Sequence, residues 1–133
     1  MAIVVDTDVV SFLYKYDTRA VAYRPHLDGQ MPIISFQTLA ELEQWPLRRN
    51  WGARRRQDLL TYLRRYLVEQ SSPELCRRWA EAMEGARRAG RPILTGDAWV
   101  AATALSYGVP LVTNNPGDFA GVAGLTVISE AAP

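Results

Sequence analysis

Residues Ile3-Val4-Val5-Asp6-Thr7-Asp8 decide how this chain is organised. Three consecutive apolar residues that favour β structure run directly into an acidic cluster. A strand that is apolar on both faces is typical of the middle of a sheet covered by helices on each side. Because a carboxylate cannot continue into such a core, Asp6 is predicted at the strand's carboxyl end, the edge where open α/β sheets bind ligands. We therefore expect Asp6 to be the first ligand of a divalent-metal site on which other carboxylates converge.

Further apolar strands alternate with helical patterns along the chain. Strands are predicted over 32–36, 66–69, 109–114 and 125–129, and helices over 9–16, 18–23, 37–48, 54–65, 73–89 and 97–107. A capping box from Thr38 to Glu41 is expected to open the helix over 37–48, while Pro25 ends one helix and Pro46 ends or bends another. Strands separated by helices imply a parallel sheet with right-handed crossovers. The predicted fold class is α/β, a three-layer α/β/α sandwich with a central, mainly parallel sheet of four to five strands, in one domain over 1–133.

Composition excludes several classes of protein. An apolar fraction of 48% and a charged fraction of 22% over 133 residues are those of an ordinary globular domain. Cys76 is the only cysteine, so no internal disulfide can form, which fits a reducing compartment. No stretch approaches the roughly 20 apolar residues that span a bilayer, and no basic region precedes an apolar run at the N-terminus. A cytoplasmic protein without a membrane partner is expected.

The net charge of +1 hides an asymmetry. Between Arg48 and Arg91 there are 12 arginines and five acidic residues, a local charge of +7, whereas the rest of the chain carries −6. The basic segment suits an RNA substrate, because phosphates that bind arginine release counterions. A solvated helix face explains the same arginines equally well.

Four carboxylates are predicted to share the carboxyl edge of the sheet. Asp6 ends the first strand, Glu41 follows the second, Asp97 opens the last helix, and Asp118 follows the fourth strand. Singly, each has a structural alternative in helix capping, the helix dipole or turn chemistry. Together they would repel, by roughly 4 kcal/mol for a pair about 4 Å apart at an effective dielectric near 20. Oxygen-only ligands of this kind suit one or two Mg²⁺ or Mn²⁺ ions.

Four motifs resemble those of a PIN-domain ribonuclease of the VapC toxin type. They are Ile3–Thr7, Ser35–Leu42, Gly96–Ala104 and Leu111–Phe119, the last containing Thr-x-Asn-x-x-Asp-Phe after a strand. The resemblance covers nearly the whole chain and is weakest over 48–70.

The resemblance implies a site, a reaction and partners. Asp6, Glu41, Asp97 and Asp118 would be acidic metal ligands, with Thr7, Asp8, Thr113 and Asn115 as polar support. The implied reaction is endonucleolytic cleavage of RNA by metal-activated water, which leaves a 5′-phosphate and a 3′-hydroxyl. The implied partners are a VapB-like antitoxin and a second copy of the chain. Two positions depart from the family pattern: Asp8 replaces the usual Asn, and Trp99 replaces a smaller aliphatic residue.

Two other functions remain open at this point. The pattern Asp6-Thr7-Asp8 also resembles the start of a haloacid-dehalogenase-type phosphatase, with Asp6 as nucleophile and Asp8 as acid. That chemistry normally uses a downstream lysine, and Lys15 is the only lysine in the chain. The second alternative is a non-catalytic module that binds RNA or protein, although the presence of all four acids gives it no support.

Overall fold

The computed structural model describes residues 1–133 and alternates strands with helices along the chain. The strands are β1 (Ala2–Val5), β2 (Met31–Ile34), β3 (Leu67–Val68), β4 (Leu111–Val112) and β5 (Val127–Ile128). The helices are α1 (Thr7–Lys15), α2 (Ala20–Leu27), α3 (Phe36–Arg48), α4 (Ala53–Leu63), α5 (Pro73–Arg88) and α6 (Thr95–Tyr107), with a short 3₁₀ helix at Pro116–Phe119. No helix combines the length and apolarity that crossing a membrane requires.

The five strands form one sheet in the order β3-β2-β1-β4-β5, with every neighbouring pair parallel. β1 is the middle strand, and Val4 pairs with Ile33 of β2 on one side and with Leu111 of β4 on the other. The predicted α/β class with a mainly parallel sheet is confirmed. The apolar run at the start of the chain occupies the centre of that sheet because it is buried on both faces.

Alternate residues of β1 build the two halves of the core. Val5 points into a cluster with residues of α1 to α4, whereas Val4 points into a second cluster with residues of α5 and α6. Both valines are fully buried. Since successive side chains of a strand project to opposite faces, three apolar residues in a row are what a doubly covered strand requires. The sandwich therefore has three layers, with α1–α4 on one side of the sheet and α5 and α6 on the other.

Two local predictions are wrong. Ser35, not Thr38, caps α3: its hydroxyl accepts a hydrogen bond from the Thr38 backbone N–H at 3.0 Å. Thr38 is thus buried one turn inside the helix, and Glu41 takes no part in a capping box. Pro25 does not end its helix, because α2 continues through it to Leu27, whereas α3 runs past Pro46 to Arg48 as the predicted range 37–48 requires.

Candidate active site

A pocket of about 640 Å³ opens at the carboxyl edge of the sheet, beside the end of β1. All four predicted ligands line it, together with three of the four residues predicted as polar support; these seven are Asp6, Thr7, Asp8, Glu41, Asp97, Asn115 and Asp118. The fourth, Thr113, is buried directly behind Asp6. The structure thus places the four carboxylates at the edge of the sheet where the alternation of strands and helices predicted them.

Asp6 is fixed by hydrogen bonds at both carboxylate oxygens. It is the N-cap of α1, and its Oδ1 accepts from the Thr7 backbone N–H at 2.8 Å. Its Oδ2 accepts from the Thr113 hydroxyl at 2.8 Å, across the boundary between β1 and β4. The Thr113 Oγ1 in turn accepts from the Asn115 backbone N–H at 3.1 Å. Only 9% of Asp6 is exposed, so this carboxylate forms the buried floor of the pocket.

Thr7 connects Glu41 to Asp6, through its hydroxyl on one side and its backbone N–H on the other. Thr7 donates from its hydroxyl to Glu41 Oε1 at 2.8 Å and lies 3.0 Å from the hydroxyl of Thr38. The Ser35 hydroxyl reaches the same Thr38 oxygen at 3.2 Å. Thr7 therefore joins the start of α1 to the second turn of α3, and it orients the Glu41 carboxylate toward the pocket.

Asp8 ties α1 to the loop that follows β4. Its Oδ1 accepts from the Val9 backbone N–H at 2.7 Å, and its Oδ2 accepts from the Asn114 backbone N–H at 3.0 Å and the Asn115 side-chain amide at 2.7 Å. An asparagine would offer only one acceptor oxygen to these three N–H donors. The departure from the family pattern at this position therefore has a structural use, since it fixes the loop leading to Asp118.

Burial and mutual repulsion raise the pKa values of these carboxyl groups. Desolvation, followed by the charge of Asp8, raises the pKa of Asp6 to about 7, although the Thr113 and Thr7 hydrogen bonds oppose the shift. Desolvation, followed by the charges of Asp118 and Glu41, raises the pKa of Asp97 to about 6. Burial also raises the pKa of Asp8. A group of carboxylates that resists ionisation in this way is the environment that a divalent cation relieves.

The donor chemistry fits a hard divalent cation, since the pocket floor offers only carboxylate, hydroxyl and amide groups. As placed, however, no three His, Cys, Asp or Glu side chains come close enough together to form a ready metal-binding group. Asp97 lies in the first turn of α6, and Asp118 lies exposed on the 3₁₀ helix. That these acids share one ion stays a prediction.

The family model of the PIN domain matches residues 3–125 of this chain. The chain belongs to the PIN domain family. Ribonuclease VapC1 of Haemophilus influenzae strain R2866 is 28% identical to it over 127 residues, which cover 90% of each protein.

Solved structures share the same fold. VapBC-1 from nontypeable Haemophilus influenzae superimposes with a TM-score of 0.81 at 24% identity, and DNA-bound VapBC from Salmonella typhimurium with 0.81 at 22%. VapBC2 from Rickettsia felis, bound to a DNA fragment from its promoter, gives 0.80 at 20%. Each match covers 97% of this chain and 98% of the other. These likenesses establish that the PIN fold extends over nearly the whole chain.

The far wall of the pocket in this PIN domain carries positive charge, which includes the start of the predicted basic segment, but the sequence patterns did not place it beside the acids. Lys15, Arg48 and Arg49 line the same pocket as the carboxylates, together with Trp45. Lys15 ends α1, and Arg48 ends α3. A sequence signal for this wall exists, because residues three or four positions apart share one face of a helix. This spacing places residues 11 and 15 on one face of α1, and residues 41, 45 and 48 on one face of α3.

Proposed function

We propose that this PIN domain, spanning 1–133 as a single domain, is a metal-dependent endoribonuclease of the VapC toxin type. The proposed reaction hydrolyses RNA phosphodiester bonds, leaving a 5′-phosphate and a 3′-hydroxyl. The observation that carries the proposal is the convergence of Asp6, Glu41, Asp97 and Asp118 on one pocket. Membership of the PIN family and similarity to a protein named as a ribonuclease support it.

In the proposed site, the four acids would hold one or two Mg²⁺ or Mn²⁺ ions. A bound ion of this kind supplies activation of water and stabilises the negative charge that develops on the phosphate. The raised pKa values of Asp6 and Asp97 support this assignment, because a cation favours the ionised carboxylates that burial and repulsion disfavour.

The remaining polar residues would position these carboxylates. Thr113 and the N-terminus of α1 hold Asp6 at the pocket floor, and Thr7 orients Glu41. Asp8 holds Asn115 and, through it, the segment that carries Asp118. All of these contacts except the one between Thr7 N–H and Asp6 join residues at least 34 positions apart, so the arrangement of the acids depends on the completed fold.

The proposed partners follow from the structural relatives. Those relatives are VapBC complexes, which supports a VapB-like antitoxin as a protein partner of this chain. A homodimer and a cytoplasmic location complete the proposal, and a single free cysteine is compatible with a reducing compartment.

The two alternatives receive less support. The phosphatase lacks support from the comparisons, because the family model that matches is that of the PIN domain and the relative is named as a ribonuclease. A non-catalytic binding module does not account for five carboxylates in one pocket.

The decisive experiment measures cleavage of a labelled RNA by the wild type, Asp6→Asn and Asp97→Asn, each with Mg²⁺, with Mn²⁺ and with chelator. Asp28→Asn is the matched control, because it removes one exposed charge that does not line the pocket. We expect both pocket variants and the chelator to lower the rate by at least about 100-fold, since even second-shell changes at metal sites cost about 10–100-fold. Equal cleavage under all conditions would contradict the proposal, and transfer of phosphate from a small phosphodonor to Asp6 would favour the phosphatase.

A further inference from the structure

The three cations on the far wall have no acidic partner. The ion pairs of the chain use other basic residues, namely Arg19, His26, Arg56, Arg78, Arg87 and Arg88. Lys15, Arg48 and Arg49 instead face the pocket that also contains the carboxylates. A pocket with unneutralised acids at one end and unneutralised bases at the other is suited to a ligand that extends across both.

Two neighbouring helices set the separation between the ends. α1 and α3 both begin at the carboxyl edge of the sheet, and they contact each other. Asp8 and Lys15 are seven residues apart on α1, and Glu41 and Arg48 are seven residues apart on α3. At a rise of 1.5 Å per residue, the bases lie about 10 Å farther along each helix than the acids. The phosphates of a single RNA strand are farther apart than the roughly 3.4 Å axial rise per nucleotide of a duplex, because six backbone bonds separate them, so this distance corresponds to about two phosphates.

Trp45 brings two of the cations together. Lys15 Nζ lies 4.3 Å from the centroid of its ring, and Arg49 Cζ lies 5.4 Å from it. Trp51 packs against Trp45 with a centroid distance of 5.1 Å and is itself covered by Arg55, whose Cζ lies 3.8 Å from the Trp51 ring. Cations over aromatic faces are held electrostatically. The aromatic pair therefore orients positive charges that would otherwise repel one another.

The helix dipole explains only part of this arrangement. Cations are favoured in the last turn of a helix, which accounts for Lys15 and Arg48 separately. It does not account for the convergence of Lys15 and Arg49 on one indole. Burial, followed by the charge of Arg49, lowers the pKa of Lys15, so this clustering works against the charged lysine in the absence of an anion.

We infer that Lys15, Arg48 and Arg49 form a phosphate-binding subsite for an RNA strand whose reacting phosphate lies at the carboxylates about 10 Å away. Trp45 is a positioning residue that orients Lys15 and Arg49. The inference rests on the proposed function and adds a requirement for substrate length. RNA that extends about two nucleotides beyond the reacting bond reaches the subsite, and a dinucleotide does not.

The test compares two variants that lose the same charge. The subsite variant is Lys15→Ala/Arg48→Ala/Arg49→Ala. The control is Arg77→Ala/Arg87→Ala/Arg88→Ala, on exposed positions of α5 in the opposite layer of the sandwich. Fluorescence anisotropy measures binding of labelled oligouridylates of two and six nucleotides, with chelator present to prevent cleavage, between 50 and 200 mM KCl. Circular dichroism verifies that each variant is folded.

Each phosphate contact to a single strand contributes about 0.7 to the slope of log affinity against log salt. Between 50 and 200 mM KCl, three such contacts correspond to a fall in affinity of about 18-fold. Because the subsite variant lacks these contacts, we expect the affinity of the wild type for the six-nucleotide RNA to fall about 18-fold more over this range than the affinity of the variant. The control keeps the wild-type slope, and the dinucleotide shows no difference among the three proteins. The charge-retaining variant Lys15→Arg/Arg48→Lys/Arg49→Lys keeps most of the slope. Trp45→Leu weakens binding of the longer RNA without changing the net charge.

Cleavage kinetics separate this inference from the proposed function. The subsite variant should raise KM for the six-nucleotide RNA and leave kcat unchanged, because a distant phosphate is bound equally in the ground and transition states. Length- and cation-dependent binding without any cleavage would overturn the ribonuclease and keep the subsite. If the subsite variant cleaves RNA normally and its RNA binding keeps the salt dependence of the wild type, the subsite is overturned. The three cations would then stabilise the helix ends or bind a protein partner.

Discussion

The substitution Asp6→Asn is expected to stabilise the metal-free protein above neutral pH. The ordinary carboxyl pKa of 3.8 applies to the unfolded chain, whereas burial and the charge of Asp8 raise the folded value to about 7. Between these two pH values the unfolded chain releases a proton that the folded protein retains. The stability contributed by this carboxyl is therefore fully present below pH 3.8 and is lost as the pH rises through 7.

The size of the effect follows from the two pKa values. At about 1.4 kcal/mol for each pH unit, the wild type loses about 4 kcal/mol from this group between pH 4 and pH 8. Asparagine has no charge to bury. Its oxygen can accept from the Thr7 N–H, and its amide can donate to Thr113 Oγ1, so both hydrogen bonds of the carboxylate have replacements. The difference in unfolding free energy between variant and wild type should grow by about 4 kcal/mol across this range.

Urea unfolding in the presence of chelator, at intervals from pH 4 to pH 8, measures this difference directly. Asp28→Asn is again the control, because its position is exposed. Adding Mg²⁺ at pH 8 should raise the stability of the wild type and leave Asp6→Asn largely unchanged, since ligands stabilise the state that binds them. Parallel pH profiles for the wild type and Asp6→Asn would refute the reasoning, because the charge on Asp6 would then carry no folding cost.

Four further substitutions test the packing of the fold. Gly121→Ala should destabilise by about 1–3 kcal/mol in urea unfolding, because the new Cβ would clash with the Arg91 carbonyl oxygen. Gly117→Ala, with nothing within 4 Å of its new Cβ, should be close to neutral. Tyr23→Phe removes the hydroxyl that links α2 to the loop after β4 and to the C-terminal segment. It should lower the unfolding free energy by about 1–3 kcal/mol and speed up amide exchange in the C-terminal segment. Ser106→Ala should not lower the thermal midpoint, because the hydroxyl oxygen of Ser106 is buried without a partner; a clear loss of stability would reveal a contact absent from the structure.

Much of the fold follows from short-range patterns. The run Ile3–Val5 indicates a strand covered on both faces, and the alternation of strands with helices indicates a parallel sheet whose carboxyl edge collects the acids. The predictions were least accurate where two local solutions compete. Ser35 and Thr38 are both hydroxyl residues suited to cap a helix, and the choice of Ser35 depends on where β2 ends. Strand lengths were also overestimated, since β4 pairs over only two residues.

The parts of the site that were missed depend on long-range contacts. Asp8 bonds to residues more than 100 positions later, and nothing in its local sequence identifies Asn114 and Asn115 as partners. Lys15 and Arg49 meet only because α1 and α3 lie side by side, with Trp45 between the two charges. Sequence patterns identify which residues share an element's face, but the packing of one element against another decides which faces meet.

The position of β1 in the middle of the sheet affects how the protein is made. β1 is synthesised before β4, which it needs on one side, and the hydrogen bond between Asp6 and Thr113 spans 107 positions of the chain. A nascent polypeptide that is still short of β4 has an open central strand, and it lacks both Thr113 and Asp118. The pocket can therefore be assembled only after the segment from Thr113 to Asp118 has left the ribosome, and a product truncated before β4 carries the early acids without the later residues that complete their surroundings.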